Sequence, residues 1–294
     1  MKKRFLSILF ILPLCASARS SYVLYSSGEQ EISQDISSST NGENSVQLNT
    51  ISENKRIELR NQVMTEKYGT YNTAKSCWLK NGYCIDIRED NSLLYTDGEY
   101  VFLRASGYNL NEDSDYDFRK SLNTLIIYHP TDDGYQIMDS KEIVTFYNSD
   151  DDTYAPNLDN GYPKSEFLKL GPDTYGWVII DGYEYGIPEY HNTAKFYAID
   201  NGRITNVGEI KTFWMGGDGG DGGEVKCKIS INENGKVIDG YYPLKVKMTG
   251  FAGLHDNFTN FNRVISIPFN SQQHKYVEPK DLLCNVGNLK PYFK

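Results

Sequence analysis

The sequence predicts an all-β fold that is built from many hairpins and has one short helix near its N-terminus. Runs rich in β-branched and aromatic residues, such as Tyr175–Ile180 and Ala194–Ile199, are each followed by a turn dipeptide, Asp181-Gly182 or Asn201-Gly202. From residue 77 onward, turn signals recur about every ten to fifteen residues, which is typical of all-β architectures and not of alternating strands and helices. We therefore expect about a dozen strands.

The arrangement that we expect for these strands is propeller-like or an irregular multi-hairpin meander. A two-sheet β-sandwich is the alternative, because many short strands with frequent turns are typical of both architectures. No repeat of fixed period is visible, which weakens the propeller interpretation. The helix is expected between Ser52 and Tyr68, where good helix formers follow a serine that can cap the first turn.

The chain divides into three predicted parts. Residues 1–18 resemble a secretory signal peptide, because a basic start precedes the apolar stretch Phe5–Leu14 and the small residues Ala16-Ser17-Ala18. Residues 19–50 are rich in polar residues and are expected to form a mobile leader. Residues 51–294 are expected to form a single β-rich domain. Cleavage near Ala18 predicts a periplasmic or secreted protein, and no stretch is long enough to span a membrane.

The exported chain is predicted to be strongly acidic. The net charge of the 294 residues is -9, and removal of residues 1–18 takes away three positive charges, which leaves -12. This charge argues against nucleic acid or an anionic membrane surface as the partner and favours a basic protein partner. Acidity that serves only solubility is the simpler alternative.

Four cysteines remain after residue 18, and an even number in an exported chain indicates disulfides. Cys77 and Cys84 flank the segment Trp78–Tyr83, within which Leu79–Gly82 can form a turn that ends in glycine. A four-residue turn there would place Trp78 opposite Tyr83 and the two cysteines opposite each other. We therefore predict one disulfide between Cys77 and Cys84 and, by subtraction, a second between Cys227 and Cys284.

The most unusual local composition is the glycine- and aspartate-rich stretch from Trp214 to Cys227. It matches the start of the calcium-binding nonapeptide repeat once, with glycines for tight turns and carboxylates for a hard cation. A calcium site that uses Asp218, Asp221 and Glu224 is one interpretation. Because there is no second copy to stack on, a solvent-exposed loop without a cofactor is the interpretation that the sequence favours.

Two groups of residues are predicted to bind a partner. Asp150, Asp151 and Asp152 form an acidic run in a long polar segment, which suits docking of a basic protein. The aromatic residues Tyr183, Tyr185, Tyr190 and Trp214 crowd one region, and exposed aromatic rings suit protein recognition or stacking on sugar rings. Ordinary cross-strand aromatic pairs inside a sheet are the alternative for this second group.

The sequence lacks the common catalytic signatures, because it has no GxSxG, HExxH, Walker or dinucleotide-binding pattern and its four histidines are scattered. It therefore favours an exported, non-enzymatic binding protein. A specific version is an inhibitor or immunity-type protein that neutralises a basic secreted enzyme. The alternative function is a calcium-assisted, cell-wall glycan-binding protein or hydrolase.

Overall fold

The chain folds into two large antiparallel sheets that pack face to face. A long helix packs on the outer face of the first sheet, and a C-terminal segment packs on the outer face of the second. The computed structural model describes residues 24–26, 51–95, 98–111, 118–148, 165–184, 189–218, 221–254 and 257–292. Sheet A has the strand order β2-β3-β4-β5-β6-β7, and β1 pairs with the same edge of β4 as β3. Its strands are β1 (Leu24–Ser26), β2 (Tyr71–Asn72), β3 (Cys77–Lys80), β4 (Tyr83–Tyr95), β5 (Gly98–Asn109), β6 (Phe118–Thr131) and β7 (Gly134–Asn148).

Sheet B is a second meander with the order β14-β13-β12-β11-β10-β9-β8, to which two short strands are added. Strand β16 joins it through one parallel bridge to β11 and pairs with β15. The strands are β8 (Glu166–Lys169), β9 (Tyr175–Glu184), β10 (Glu189–Asp200), β11 (Arg203–Asp218), β12 (Asp221–Ile231), β13 (Leu244–Leu254), β14 (Asn257–Ile267), β15 (Phe269–Asn270) and β16 (Lys275–Tyr276).

Alternation of side chains along the strands divides the interior into three apolar clusters. Val101 and Leu103 of β5 face helix α1 (Glu53–Tyr68), whereas Phe102 between them faces sheet B. Phe102 packs there against Trp177, with ring centroids 6.2 Å apart, and both side chains are fully buried. The opposite face of sheet B packs against Leu282 and its neighbours in the C-terminal segment. The layers therefore follow the order helix, sheet A, sheet B and C-terminal segment.

The C-terminal segment contains the short helix α2 (Val286–Leu289) and a 3-10 turn (Lys290–Tyr292). None of the helices in the described ranges is long and apolar enough to cross a membrane.

Helix α1 is held on sheet A by apolar packing and by a buried ion pair. Ser52 caps its first turn by accepting a hydrogen bond from the Lys55 N–H, as predicted. Arg60 Nη1 lies 3.0 Å from Asp90 Oδ2, and Arg56 Nε lies 3.9 Å from the same oxygen. Only 2% of the Asp90 side chain is exposed. Burial raises the pKa of Asp90 above its ordinary value, although the hydrogen bond from Arg60 and the charge of Arg56 lower it.

The predicted all-β, multi-hairpin fold is confirmed, and the two sheets that pack face to face correspond to the sandwich alternative. The turn at Asn201-Gly202 is confirmed, because Asp200 pairs with Arg203 across it. The turn predicted at Asp181-Gly182 is wrong, because β9 continues through it to Glu184. Within the predicted leader, Leu24–Ser26 pairs with β4, and residues 1–23 and 27–50 lie outside the described residues.

Both predicted disulfides are present, with Cα atoms 5.5 Å apart for Cys77 and Cys84 and 6.1 Å apart for Cys227 and Cys284. The predicted register of the first hairpin is wrong, because Trp78 pairs with Ile85 and not with Tyr83.

The turn that joins β3 and β4 is shorter than the predicted four-residue turn. It contains only Asn81 and Gly82, whose φ angles are 52° and 86°. Asparagine and glycine tolerate these left-handed angles, so the two-residue hairpin is favoured.

Replacing Asp90 with Asn is expected to lower the free energy of unfolding by about 3 kcal/mol, because two arginines keep their charges beside a group that has lost its own. Glu53→Gln is the matched control, since Glu53 pairs with Arg56 at 2.7 Å but is 57% exposed. It should cost less than about 1 kcal/mol. Urea denaturation followed by circular dichroism measures both, and equal losses would contradict the buried ion pair as an anchor of α1.

The two disulfides should differ in their contribution to stability, because they close loops of different length. The cysteines of the Cys227–Cys284 bridge are 57 residues apart and those of the Cys77–Cys84 bridge 7 apart. Loop-closure entropy predicts losses of about 4 and about 2.5 kcal/mol when each pair is replaced with alanine. Guanidinium unfolding of the two double variants tests this order, and a larger loss for the shorter loop would contradict it.

Candidate functional site

Sheet B brings the ends of several strands together at one end of the molecule, which we call the loop end. Glu189 at the start of β10 pairs with Gly216 near the end of β11, so the β9–β10 and β11–β12 connections are neighbours. Asp221 at the start of β12 pairs with Leu254 at the end of β13, which adds the β13–β14 connection. Three hairpin connections of sheet B therefore leave from the loop end.

Sheet A contributes two further connections to the same end. Phe118 at the start of β6 pairs with Asn148 at the end of β7, so the β5–β6 and β7–β8 connections lie side by side. The backbone N–H of Phe146 donates a 2.8 Å hydrogen bond to Asp181 Oδ1 on β9. This bond joins the ends of β7 and β9, so the loop ends of the two sheets coincide.

The five connections carry a strongly negative net charge. They comprise residues 112–117, 149–164, 185–188, 219–220 and 255–256, which together contain nine aspartates and glutamates and one lysine. With His255 neutral their net charge is -8, compared with -9 for the whole chain. These residues lie outside the described residues, but the strand ends that they join are described. The topology therefore joins these acidic connections to strand ends at one end of the sheets.

The residues predicted to bind a partner are distributed differently around this end. Asp150, Asp151, Asp152 and Tyr185 lie outside the described residues, in connections that leave from the loop end. The backbone of Tyr183 pairs with His191, and the half-buried Tyr190 pairs with Glu184.

The prediction that Trp214 belongs to an exposed aromatic cluster is wrong. Its side chain is only 2% exposed and packs in the core between sheet B and the C-terminal segment. Its cross-strand partner is the fully buried Val225. Alternation along β11 places position 214 on the inner face, and a local count of aromatic residues does not contain that information.

The glycine- and aspartate-rich stretch is a hairpin and not the expected loop. Strand β11 runs to Asp218 and β12 starts at Asp221, and these two positions pair directly. Positions 221 and 224 are three residues apart on one strand, so they lie on opposite faces of the sheet. Glu224 Oε1 forms an ion pair with Lys226 Nζ at 2.6 Å. The three predicted calcium ligands are therefore not brought to one face, and no group of three or more potential metal ligands occurs among the described residues.

The structure reveals an exposed aromatic pair that the sequence interpretation missed. Phe251 and Phe258 are 40% and 44% exposed, and their rings form an edge-to-face pair with centroids 5.5 Å apart. They lie on β13 and β14, close to the connection between these strands at the loop end. Their shared face follows from the hairpin register, which single-residue propensities do not give.

A polar cleft of about 310 Å³ lies between the sheets, where the inner face of sheet A changes from apolar to polar. Ser106 and Ser121 are hydrogen-bonded at 3.0 Å, and Asn123 Nδ2 donates to Thr145 Oγ1 at 2.9 Å. Arg104 reaches across to the carbonyl oxygen of Ser165 at 3.0 Å. Hydroxyl and amide groups with these partners can hydrogen-bond a polar ligand, and the described lining residues include no histidine or cysteine.

A larger cavity, of about 570 Å³, lies beside the edge of β4 under helix α1. Its charged lining residues are mainly those that hold the fold together. Asp90 pairs with Arg60, and Glu89 pairs with Arg104 at 2.9 Å. Three of its five described charged lining residues therefore take part in ion pairs that hold the fold together.

Comparison with known proteins gives no relative from which a function could be transferred. No protein-family model, no curated protein and no solved structure matches this chain.

Proposed function

We propose that the protein is an exported, non-enzymatic binding protein whose loop end binds a basic protein partner. The observation that supports this proposal is the net charge of -8 on the five connections that leave from one end of the two sheets. A concentrated negative charge speeds the approach of a positively charged partner and orients it toward that end. Asp150, Asp151 and Asp152 are the residues that we expect to contribute most, since they form the longest acidic run there.

In its specific version, the partner is a basic secreted enzyme and this protein is its inhibitor or immunity-type antagonist. Export to the periplasm or beyond, with cleavage near Ala18, is part of the proposal. Two disulfides support it, because disulfides are typical of proteins that fold outside the reducing cytoplasm. The rigid two-sheet scaffold also supports it, since pre-ordered strand ends lower the entropy cost of presenting binding loops.

A second candidate function is a cell-wall glycan-binding protein or hydrolase that acts through the polar cleft. The hydroxyl and amide groups of Ser106, Ser121 and Asn123 favour it, because sugars are recognised by such hydrogen-bonding groups. The positions of Asp221 and Glu224 on opposite faces of β12 give no support to a calcium ion that assists this binding. Retention on peptidoglycan that Asn123→Ala abolishes would favour this candidate, and a chain that passes through unretained would contradict it.

The test of the first candidate is charge reversal at the loop end. The oxidised protein is immobilised and exposed to extracts and secretions of its own organism, and any captured enzyme is then purified and assayed with added protein. We expect the triple variant Asp150→Lys, Asp151→Lys, Asp152→Lys to bind the captured enzyme about tenfold or more weakly. We expect an ionic strength of about 0.5 M to weaken wild-type binding similarly.

The matched control reverses three exposed acidic residues at the opposite end, Asp132, Asp133 and Glu233, to lysine. It makes the same change in net charge and should leave affinity nearly unchanged. Equal loss in both triple variants would show that net charge alone, and not the loop end, governs binding. Binding that resists both salt and charge reversal would contradict the proposal.

A further inference from the structure

Strands β12 and β13 carry four lysines, Lys226, Lys228, Lys245 and Lys247, on one face of sheet B. We call this surface the lysine face. Lys228 pairs directly with Lys247, Lys245 pairs with Ser230, and Lys226 pairs with Thr249. These positions alternate with buried residues along both strands, so all four lysines lie on the same side. Neither the β12–β13 nor the β13–β14 pairing contains a register shift, so the face is a regular three-stranded surface.

The lysine face is an outer surface of the molecule. The alternate residues of β12 and β13, such as Cys227 and Val246, are fully buried against the C-terminal segment. The apolar contact between the two sheets draws its sheet B residues from β8 to β11, so sheet A does not cover β12 to β14. Val264, which pairs with Lys247 on the outer side, is 56% exposed.

The charges on this face are not balanced. Among the residues of β12, β13 and β14 that pair across this face, the one carboxylate is Glu224, and it forms an ion pair with Lys226. Within the described part of the chain, Lys228, Lys245 and Lys247 form no ion pair. Two lysines directly opposite each other in a sheet destabilise it. Protection of an open sheet edge does not explain them, because they lie on the inner strands β12 and β13 and not on the edge strand β14.

The remaining residues on this face are suited to a sugar polymer. Asn260 and Asn262 pair with Phe251 and Thr249, so their exposed amides lie beside the lysines. The exposed pair of Phe251 and Phe258 completes the face toward the loop end. Eleven residues of extended strand make this surface about 35 Å long, and neighbouring lysines along a strand are about 7 Å apart.

We propose that the lysine face binds an anionic polysaccharide. Lysine ammonium groups contact the carboxylate, sulfate or phosphate groups of the polymer, the asparagine amides hydrogen-bond its hydroxyl groups, and the phenylalanine rings stack on sugar faces. This site is independent of the proposed protein partner, because the two use different residues.

The experiment measures binding of the full oxidised protein to polygalacturonate, with neutral dextran for comparison, by isothermal titration calorimetry at low ionic strength. The test variant is Lys228→Gln, Lys245→Gln, Lys247→Gln. The matched control is Lys75→Gln, Lys275→Gln, Lys280→Gln, which removes three exposed lysines elsewhere and makes the same change in net charge. We expect polygalacturonate but not dextran to bind, and the test variant to bind about tenfold or more weakly than the control.

A second variant, Phe251→Ala with Phe258→Ala, separates sugar recognition from general attraction to anions. We expect it to weaken polygalacturonate binding about tenfold, because stacking is lost, and to leave any binding of duplex DNA unchanged. Circular dichroism confirms that each variant is folded. The proposal would be overturned if polygalacturonate did not bind, or if the two lysine variants lost the same affinity. It would also be overturned if DNA bound as tightly as polygalacturonate and the phenylalanine variant had no effect on polygalacturonate binding. Capture of the basic partner should survive the lysine variant, so failure here is distinguishable from failure of the proposed function.

Discussion

The organisation of the molecule depends on the packing between sheets A and B around Trp177. Its ring is fully buried and lies against Phe102 and Phe167, whose centroids are 6.2 Å and 5.2 Å away. A buried aromatic cluster of this kind contributes several kcal/mol through apolar area removed from water. Because it fixes one sheet on the other, the ends of β7 and β9 meet. The acidic connections of both sheets therefore start from strand ends that lie at one end of the molecule.

Charge is segregated on this scaffold. The connections that leave from the loop end have a net charge of -8, whereas the lysine face is positive and lies on a part of sheet B that sheet A leaves uncovered. The net charge of -9 conceals this separation, because it averages over two surfaces of opposite sign. A protein with such surfaces can bind a basic partner and an anionic polymer at the same time without competition between them.

Local sequence signals predicted the features that depend on neighbouring residues. The class of fold and the cap at Ser52 were predicted correctly from turn and cap residues. Both disulfides were also predicted correctly, but the second followed only by subtraction and the hairpin register assumed for the first was wrong. Features that depend on contacts between residues far apart in the sequence were not predicted. The burial of Trp214 depends on the C-terminal segment, and the buried Asp90 depends on two arginines of α1 that are about 30 residues away along the chain.

One missed feature had a local signal. Lysine alternates with apolar residues at Lys226 and Lys228 and again at Lys245 and Lys247, which is the period of a half-buried strand. The sequence therefore predicts a charged face on each strand. It does not predict that the two faces are adjacent, because twelve residues separate β12 from β13 and the register is set only on pairing.

The most direct measurement of the central claim is amide hydrogen exchange of the full protein with and without a synthetic oligolysine peptide at low ionic strength. The account predicts slower exchange in peptides that cover the ends of β5, β7, β9 and β13, and loss of this protection when salt is added, because these strand ends share one acidic end. Protection at the opposite end of the sheets, around residues 132–140, or no protection anywhere, would contradict it.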